Sequence, residues 1–243
     1  MQINLMNDFF PPDINTVVSI IKEQTKIKND FYFYTTVTSE QVDYANQLVQ
    51  HSVDYHTVKN KWDNTSKENN TFDLRFTGSL GEIVFADVYG LVRPTRSFGA
   101  SDGQDFGKDF EIQVEGKKAN FDIKSMKRNS NAFYKDYVLN IPSYQLNKIN
   151  SLTDYYFHIN IHKEKCFDNN YVASFVGFVN KNEIKSGRVG KLYLKGTNRI
   201  RANGTQFQFS EDTYEVDLID LNTPMLDHKI EQLNGYGTKR IRL

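Results

Sequence analysis

The chain has 243 residues with 30 basic and 30 acidic side chains, so it carries no net field and would need a local patch to hold a polyanion. Apolar residues make up 39% and aromatic ones 14%, which argues for a packed core and against disorder. A single cysteine, Cys166, excludes an internal disulfide and a cysteine-based zinc site, and no stretch approaches the roughly 20 apolar residues of a membrane helix. With no basic, apolar leader at the N-terminus, the expected setting is cytoplasmic.

In chain order, "PPDINTVVSIIKEQ" predicts a helix from Asp13, with Val17, Val18, Ile20 and Ile21 on one side. After "FYFYTTVT", the stretch "SEQVDYANQLVQHSV" predicts a second helix opening at Ser39, with Val42, Ala45, Leu48 and Val49 inward. The polar run "KNKWDNTSKENNT" reads as a loop, placing a boundary near residue 70. Thr77 or Ser79 then caps a helix carrying Leu80, Val84, Phe85 and Val88 and stopping at Gly90; Gly78 and Gly81 allow close backbone approach.

"FEIQVEGKKANFDIKSM" has the outline of a β-hairpin turning at Gly116. "IPSYQLNKINSL" predicts a short helix, "YYFHINIH" and "YVASFVGFVN" strands, "KNEIKSG" a short helix or turn, and "TYEVDLIDL" a last clear strand. The order implies an α/β fold with a mixed sheet flanked by helices. It divides into an N-terminal helical region (1–70), a core (71–180) and a C-terminal β-rich region (181–243), or runs as one continuous domain.

Within the hairpin, Asp122 and Lys124 share one face of a strand whose other face carries Phe121 and Ile123. The chain holds four acid-x-Lys pairs. Glu115–Lys117 falls in the turn, Glu183–Lys185 in a helix and Asp227–Lys229 outside any strand pattern, which leaves Asp122–Lys124. A turn centred between Gly116 and Lys117 would set Lys124 opposite Asp109, with Asp105 as the alternate first-strand acid. Glu82, on the preceding helix, is a third acid.

A helical glutamate, an aspartate opening one hairpin strand and Asp-x-Lys on the return strand resemble the PD-(D/E)xK nuclease superfamily. The resemblance spans roughly residues 75 to 180; Lys108 stands where many members have proline. It implies a restriction-endonuclease-like core and a Mg²⁺-dependent DNA endonuclease of type II restriction or phage kind, bacterial or phage-encoded. Mn²⁺ would substitute for Mg²⁺. In that reading Glu82, Asp109, Asp122 and the Ile123 carbonyl hold the metal, and Lys124 orients the attacking water and offsets developing charge. Gln145 stands roughly where some members carry a functional glutamine, although Ile149 replaces the tyrosine that usually follows.

Phosphate contacts are expected from Arg75, Lys127, Arg128 and Lys135, and from Arg188, Lys191, Arg199 and Arg201 in a basic stretch between residues 181 and 201. Many members of that superfamily act as homodimers, so the resemblance implies a possible homodimer here. The competing readings are a structure-selective resolvase or repair nuclease, and a non-catalytic nucleic-acid-binding protein on the same fold. The five histidines form no metal set by spacing, and Walker, GxGxxG and HExxH motifs are absent.

Overall fold

The computed structural model describes residues 31–55, 68–95, 108–114, 117–128, 137–163, 171–202, 204–224 and 239–242. The helix expected from Asp13, the turn glycine Gly116, Cys166, Asp105 and Lys135 lie outside them.

The first described strand, β1 (Phe31–Val37), leads into helix α1 (Ser39–Tyr55). Thr38, rather than Ser39, caps α1. Its Oγ1 accepts the Gln41 N–H at 3.2 Å while Gln41 Oε1 accepts the Thr38 N–H at 2.9 Å, a reciprocal capping box. Helix α2 (Glu68–Tyr89) begins nine residues before Thr77, inside the polar run expected to be a loop. Thr77 and Ser79 are therefore interior, and the Thr77 hydroxyl donates back to the Asp73 carbonyl at 2.8 Å. Gly90, at φ +65°, ends α2 as expected, and the Leu91 N–H reaches the Ala86 carbonyl at 2.7 Å.

Next come β2 (Phe110–Val114), β3 (Lys117–Arg128), β4 (Val138–Pro142) and the single-turn helix α3 (Ser143–Leu146). Then follow β5 (Tyr155–Lys163), β6 (Tyr171–Asn180) and α4 (Lys181–Lys185). Short strands β7 (Lys191–Tyr193), β8 (Asn198–Ile200) and β9 (Gln206–Gln208) precede β10 (Thr213–Asp217), and β11 (Lys239–Arg242) comes last.

Six strands form the main sheet in the order β11-β1-β6-β5-β3-β2, with β3 parallel to β5 and the other pairs antiparallel. The mixed sheet expected from the sequence is present, and β1 ties the N-terminal part of the described chain into it. Helix α2 is apolar on most sides: Leu80, Ile83, Val84, Phe85 and Ala86 are fully buried, packed between the sheet and α1. Odd-numbered residues of β3 (Phe121, Ile123) and of β5 (Phe157, Ile159, Ile161) face this helical layer.

The opposite face of the sheet is covered by a second, three-stranded sheet, β4-β10-β7, through Leu139, Ile141, Val216, Tyr156, Val176 and Val179. Strand β6 is bulged where Phe178 bridges to Asn222, in the segment that follows β10. Pairing to β5 jumps from Gly177 to Phe175, and a Cβ on Gly177 (φ +148°) would stand 2.0 Å from the Asn222 carbonyl oxygen. The result is a layered α/β/β arrangement. No helix among the described residues is long and apolar enough to cross a membrane.

The contact between α2 and β3 is unusually close. A Cβ on Gly81 would fall 1.7 Å from Ser125 Oγ and 2.7 Å from its Cβ, whereas one on Gly78 would meet nothing. Gly81→Ala should therefore destabilise by about 2 kcal/mol, because the overpacking outweighs the roughly 1 kcal/mol that alanine gains over glycine in a helix. Ser125→Gly in that background should recover part of the loss, as read from urea midpoints. A more stable Gly81→Ala chain would show that helix and strand are not in this contact.

Candidate functional site

The hairpin register places the two candidate aspartates side by side. Phe110 pairs with Phe121 and Val114 with Lys117, so only two residues lie in the loop and the same register sets Asp109 opposite Asp122, not Lys124. This corrects the sequence-based pairing by two positions. Strand β2 begins at Phe110, and just before it the ladder passes from backbone to side chain. The Asp109 N–H donates to the Phe121 carbonyl at 2.9 Å, and Asp109 Oδ2 accepts the Ile123 N–H at 2.6 Å. Beyond that point β3 continues beside β5 without β2, creating a fork. Odd residues of β3 turn their backbone groups toward β2, so the Ile123 carbonyl points into the fork.

On the even face, Lys124 Nζ bonds Asp122 Oδ1 at 2.6 Å, both side chains being mostly buried. The Lys124 ammonium lies 5.6 Å from the centre of the Tyr156 ring, the cross-strand neighbour of Asp122. Burial works against the lysine charge, but the charge and hydrogen bond of Asp122, then Asp109 and Tyr144, hold its pKa above the ordinary lysine value. Lys124 is thus kept as a cation at neutral pH. The pair therefore suits charge stabilisation better than proton abstraction.

Four further groups join these residues, and the sequence reading missed them. Burial raises the Tyr156 phenol, with Asp122 adding to the effect. Burial also raises Tyr144, on α3, whose surroundings include Gln145, Glu211, Lys124 and Asp122. Lys181 is lowered by burial and by Lys185, against the opposing pull of Asp122 and Asp154. Glu211 is raised by burial. Their signal is tertiary: Tyr156 reaches Asp122 through parallel pairing, and Lys181 follows the end of β6. Gln145 sits beside this group, donating from Nε2 to Tyr144 Oη at 3.1 Å. Its Oε1 is buried and, like Tyr156 Oη, accepts no hydrogen bond among the described residues.

Glu82 is placed differently from Asp109 and Asp122. It follows Gly81 on α2, the helix covering the other face of the sheet. Among the described residues no three His, Cys, Asp or Glu side chains gather as a metal-holding group. The two aspartates and the Ile123 carbonyl are the hard oxygens at the fork. That set matches the habit of Mg²⁺, which takes one or two carboxylates and keeps several waters.

The expected phosphate contacts divide. Arg75 and Arg128, each 6% exposed, are interior, which corrects their assignment to a surface. Arg128 shares the even face of β3 with Asp122 and is roofed by the second sheet. Its Nε donates to Asn160 Oδ1 at 2.5 Å, its Nη2 to the Val138 carbonyl at 3.3 Å, and its guanidinium lies 4.0 Å from the Tyr137 ring centre. Burial lowers its pKa to about 10, partly opposed by Tyr137. Lys127 pairs with Asp73 on α2 at 3.1 Å, Arg188 with Glu183, and Arg199 with Glu215 at 2.7 Å. Lys191 and Arg201 are exposed and lie over the rings of Tyr193 and Phe207. Compared with protein-family models, curated proteins and solved structures, the chain matches none.

Proposed function

We propose that the chain is a Mg²⁺-dependent DNA endonuclease with a restriction-endonuclease-like core, the fork between β2 and β3 being its active site. The observation that carries this reading is the meeting of Asp109, Asp122 and Lys124 where β2 leaves β3. Two carboxylates and a backbone carbonyl gathered at one point supply the hard oxygens that a divalent cation takes. Asp109, Asp122 and the Ile123 carbonyl would hold Mg²⁺, which supplies Lewis acidity and a more acidic bound water. Glu82, on α2, would complete the metal shell directly or through water.

Lys124 then acts as a fixed positive charge beside the scissile phosphate, where negative charge builds on the non-bridging oxygens. Asp122 holds that ammonium in place, and Asp109 fixes the fork by closing the ladder onto Ile123. Lys181 adds a second cation beside Asp122. Gln145 Oε1 and Tyr156 Oη are acceptors that can orient water or a sugar hydroxyl at the site. With one fork per chain, cutting both strands of a duplex calls for two copies.

Supercoiled plasmid incubated with the protein should pass to nicked and then linear forms in Mg²⁺ or Mn²⁺, and remain intact in EDTA. Plasmid left supercoiled at saturating Mg²⁺, with the protein folded, would reject the hydrolytic reading.

A further inference from the structure

Strands β8 and β9 form a separate two-stranded ribbon with two unlike faces. In its register Arg199 pairs with Phe207, while Asn198 pairs with Gln208 and Ile200 with Gln206. The Arg199 and Phe207 side is anchored: Arg199 Nε bonds Glu215 Oε2 at 2.7 Å, and Phe207 packs on Phe209, which stacks on Tyr193. The other side is exposed and carries Asn198, Ile200, Gln206 and Gln208, with Ile200 67% exposed. An isolated ribbon of three-residue strands has little reason to hold an aliphatic side chain in water between amides unless something covers it.

The ribbon is also pinned by backbone hydrogen bonds at both ends. The Phe209 N–H bonds the Thr197 carbonyl at 3.0 Å and the Gly196 N–H the Phe209 carbonyl at 2.8 Å, which fixes the base. The Arg201 N–H bonds the Thr205 carbonyl at 2.8 Å, which closes the tip. Asp212 ties this base to the fork: its Oδ1 accepts the Lys195 N–H and its carbonyl the Ser143 N–H, both at 2.7 Å. Ser143 begins α3, whose Tyr144 faces Lys124 and Asp122.

Building on the DNA-cleaving reading, we infer that the exposed face of this ribbon enters the major groove of duplex DNA and reads base edges, with a preference for A·T pairs. The major groove, about 12 Å wide, admits a two-stranded ribbon. Side-chain amides of Asn and Gln match the paired acceptor and donor of adenine, and an aliphatic group packs on the thymine methyl. Asn198 and Gln206 are the amides available for this, because Gln208 Nε2 donates to the Gly196 carbonyl at 2.9 Å and so braces the ribbon. Charge agrees with this occupant: Lys191, Lys195 and Arg201 are exposed around the ribbon, and of the acids at its base Glu215 is engaged by Arg199 and Asp212 by the Lys195 N–H, which leaves Glu211 exposed. An acidic protein surface would satisfy the lysines but not the amide and isoleucine row.

The test is selection from a pool of duplexes randomised over about one helical turn, in EDTA so that cleavage plays no part. The full chain should enrich adjacent A·T pairs. The Asn198→Ala/Gln206→Ala variant should lose that enrichment, its affinity for the selected duplex falling about tenfold per residue, with unselected duplex bound as before. Arg201→Ala should weaken all duplexes alike and lower the salt slope by about one. Thermal midpoints equal to the parent's would show that these surface variants fold. The inference fails if the parent selects no sequence, or if the double variant keeps the parent's preference. A chain that selects A·T pairs yet leaves plasmid uncut in Mg²⁺ removes the hydrolytic reading and keeps this one; cutting without preference does the reverse.

Discussion

Lys124→Ala is expected to lower the rate of Mg²⁺-dependent cleavage about 10³-fold while leaving DNA affinity largely intact, as measured by single-turnover cleavage beside anisotropy in EDTA. The size follows from where the ammonium stands. It is mostly buried, 2.6 Å from Asp122 Oδ1 and 5.6 Å from the Tyr156 ring centre, in surroundings that keep it charged. A fixed charge in such a place needs no rearrangement as the transition state forms, and its removal is felt in the chemical step more than in binding. Because its pKa is held above the ordinary lysine value, the parent's rate should show no loss from deprotonation of Lys124 at neutral pH. The substitution also leaves Asp122 without its cation, so a modest loss of stability accompanies the loss of rate. Lys124→Arg separates the two effects, restoring charge and stability while the broader guanidinium recovers little activity. Cleavage by Lys124→Ala within a few-fold of the parent would remove the fork from the mechanism.

What the sequence made legible was local. The hairpin was readable because two alternating runs flank a glycine, and the face shared by Asp122 and Lys124 followed from the two-residue period of a strand. The pairing partner was not. Centring the turn one residue too far toward the C-terminus shifted the register by two, which is why Asp109 meets Asp122 instead of Lys124. The start of α2 was obscured because Glu68 to Thr71 are polar and look like the loop before them, and two hydroxyl residues inside the helix resemble caps.

Arg128 shows a different limit. Its position on the even face of β3 was readable from parity, but its burial depends on β10 pairing with β4, where Val138 meets Asp217, 79 residues later in the chain, to build the roof above it. Whether a face meets solvent or another layer is decided by such long-range pairing. The same holds for Glu82: a helical glutamate before a hairpin fits the resemblance, yet only the packing of Gly81 against Ser125 tells which face its helix covers.

That roof also encloses His158 and His162, and with them the second large effect, a loss of stability in mild acid. Both are fully buried. His158 Nε2 lies 3.0 Å from Asn160 Oδ1 and 3.4 Å from Arg128 Nη2, and His162 Nε2 lies 2.9 Å from Ser174 Oγ. Burial, then the Arg128 charge, lowers each to about 3. In the unfolded chain a histidine titrates near 6.5, so between about 6.5 and 3 the unfolded state binds protons that the folded state refuses. Stability is therefore fully present above that window and falls as pH drops through it. At pH 5 each histidine should cost about 2 kcal/mol, against a total of about 5–15 kcal/mol for a domain. Urea midpoints at pH 7.5 and 5 should differ accordingly, and His162→Gln, which keeps a polar group toward Ser174 but cannot titrate, should show roughly half the acid loss. His158 pairs across the sheet with Lys124, so cleavage should fall over the same window as the strand loosens. Equal midpoints at the two pH values in the parent, or an undiminished acid loss in His162→Gln, would show that these imidazoles are not the groups that titrate.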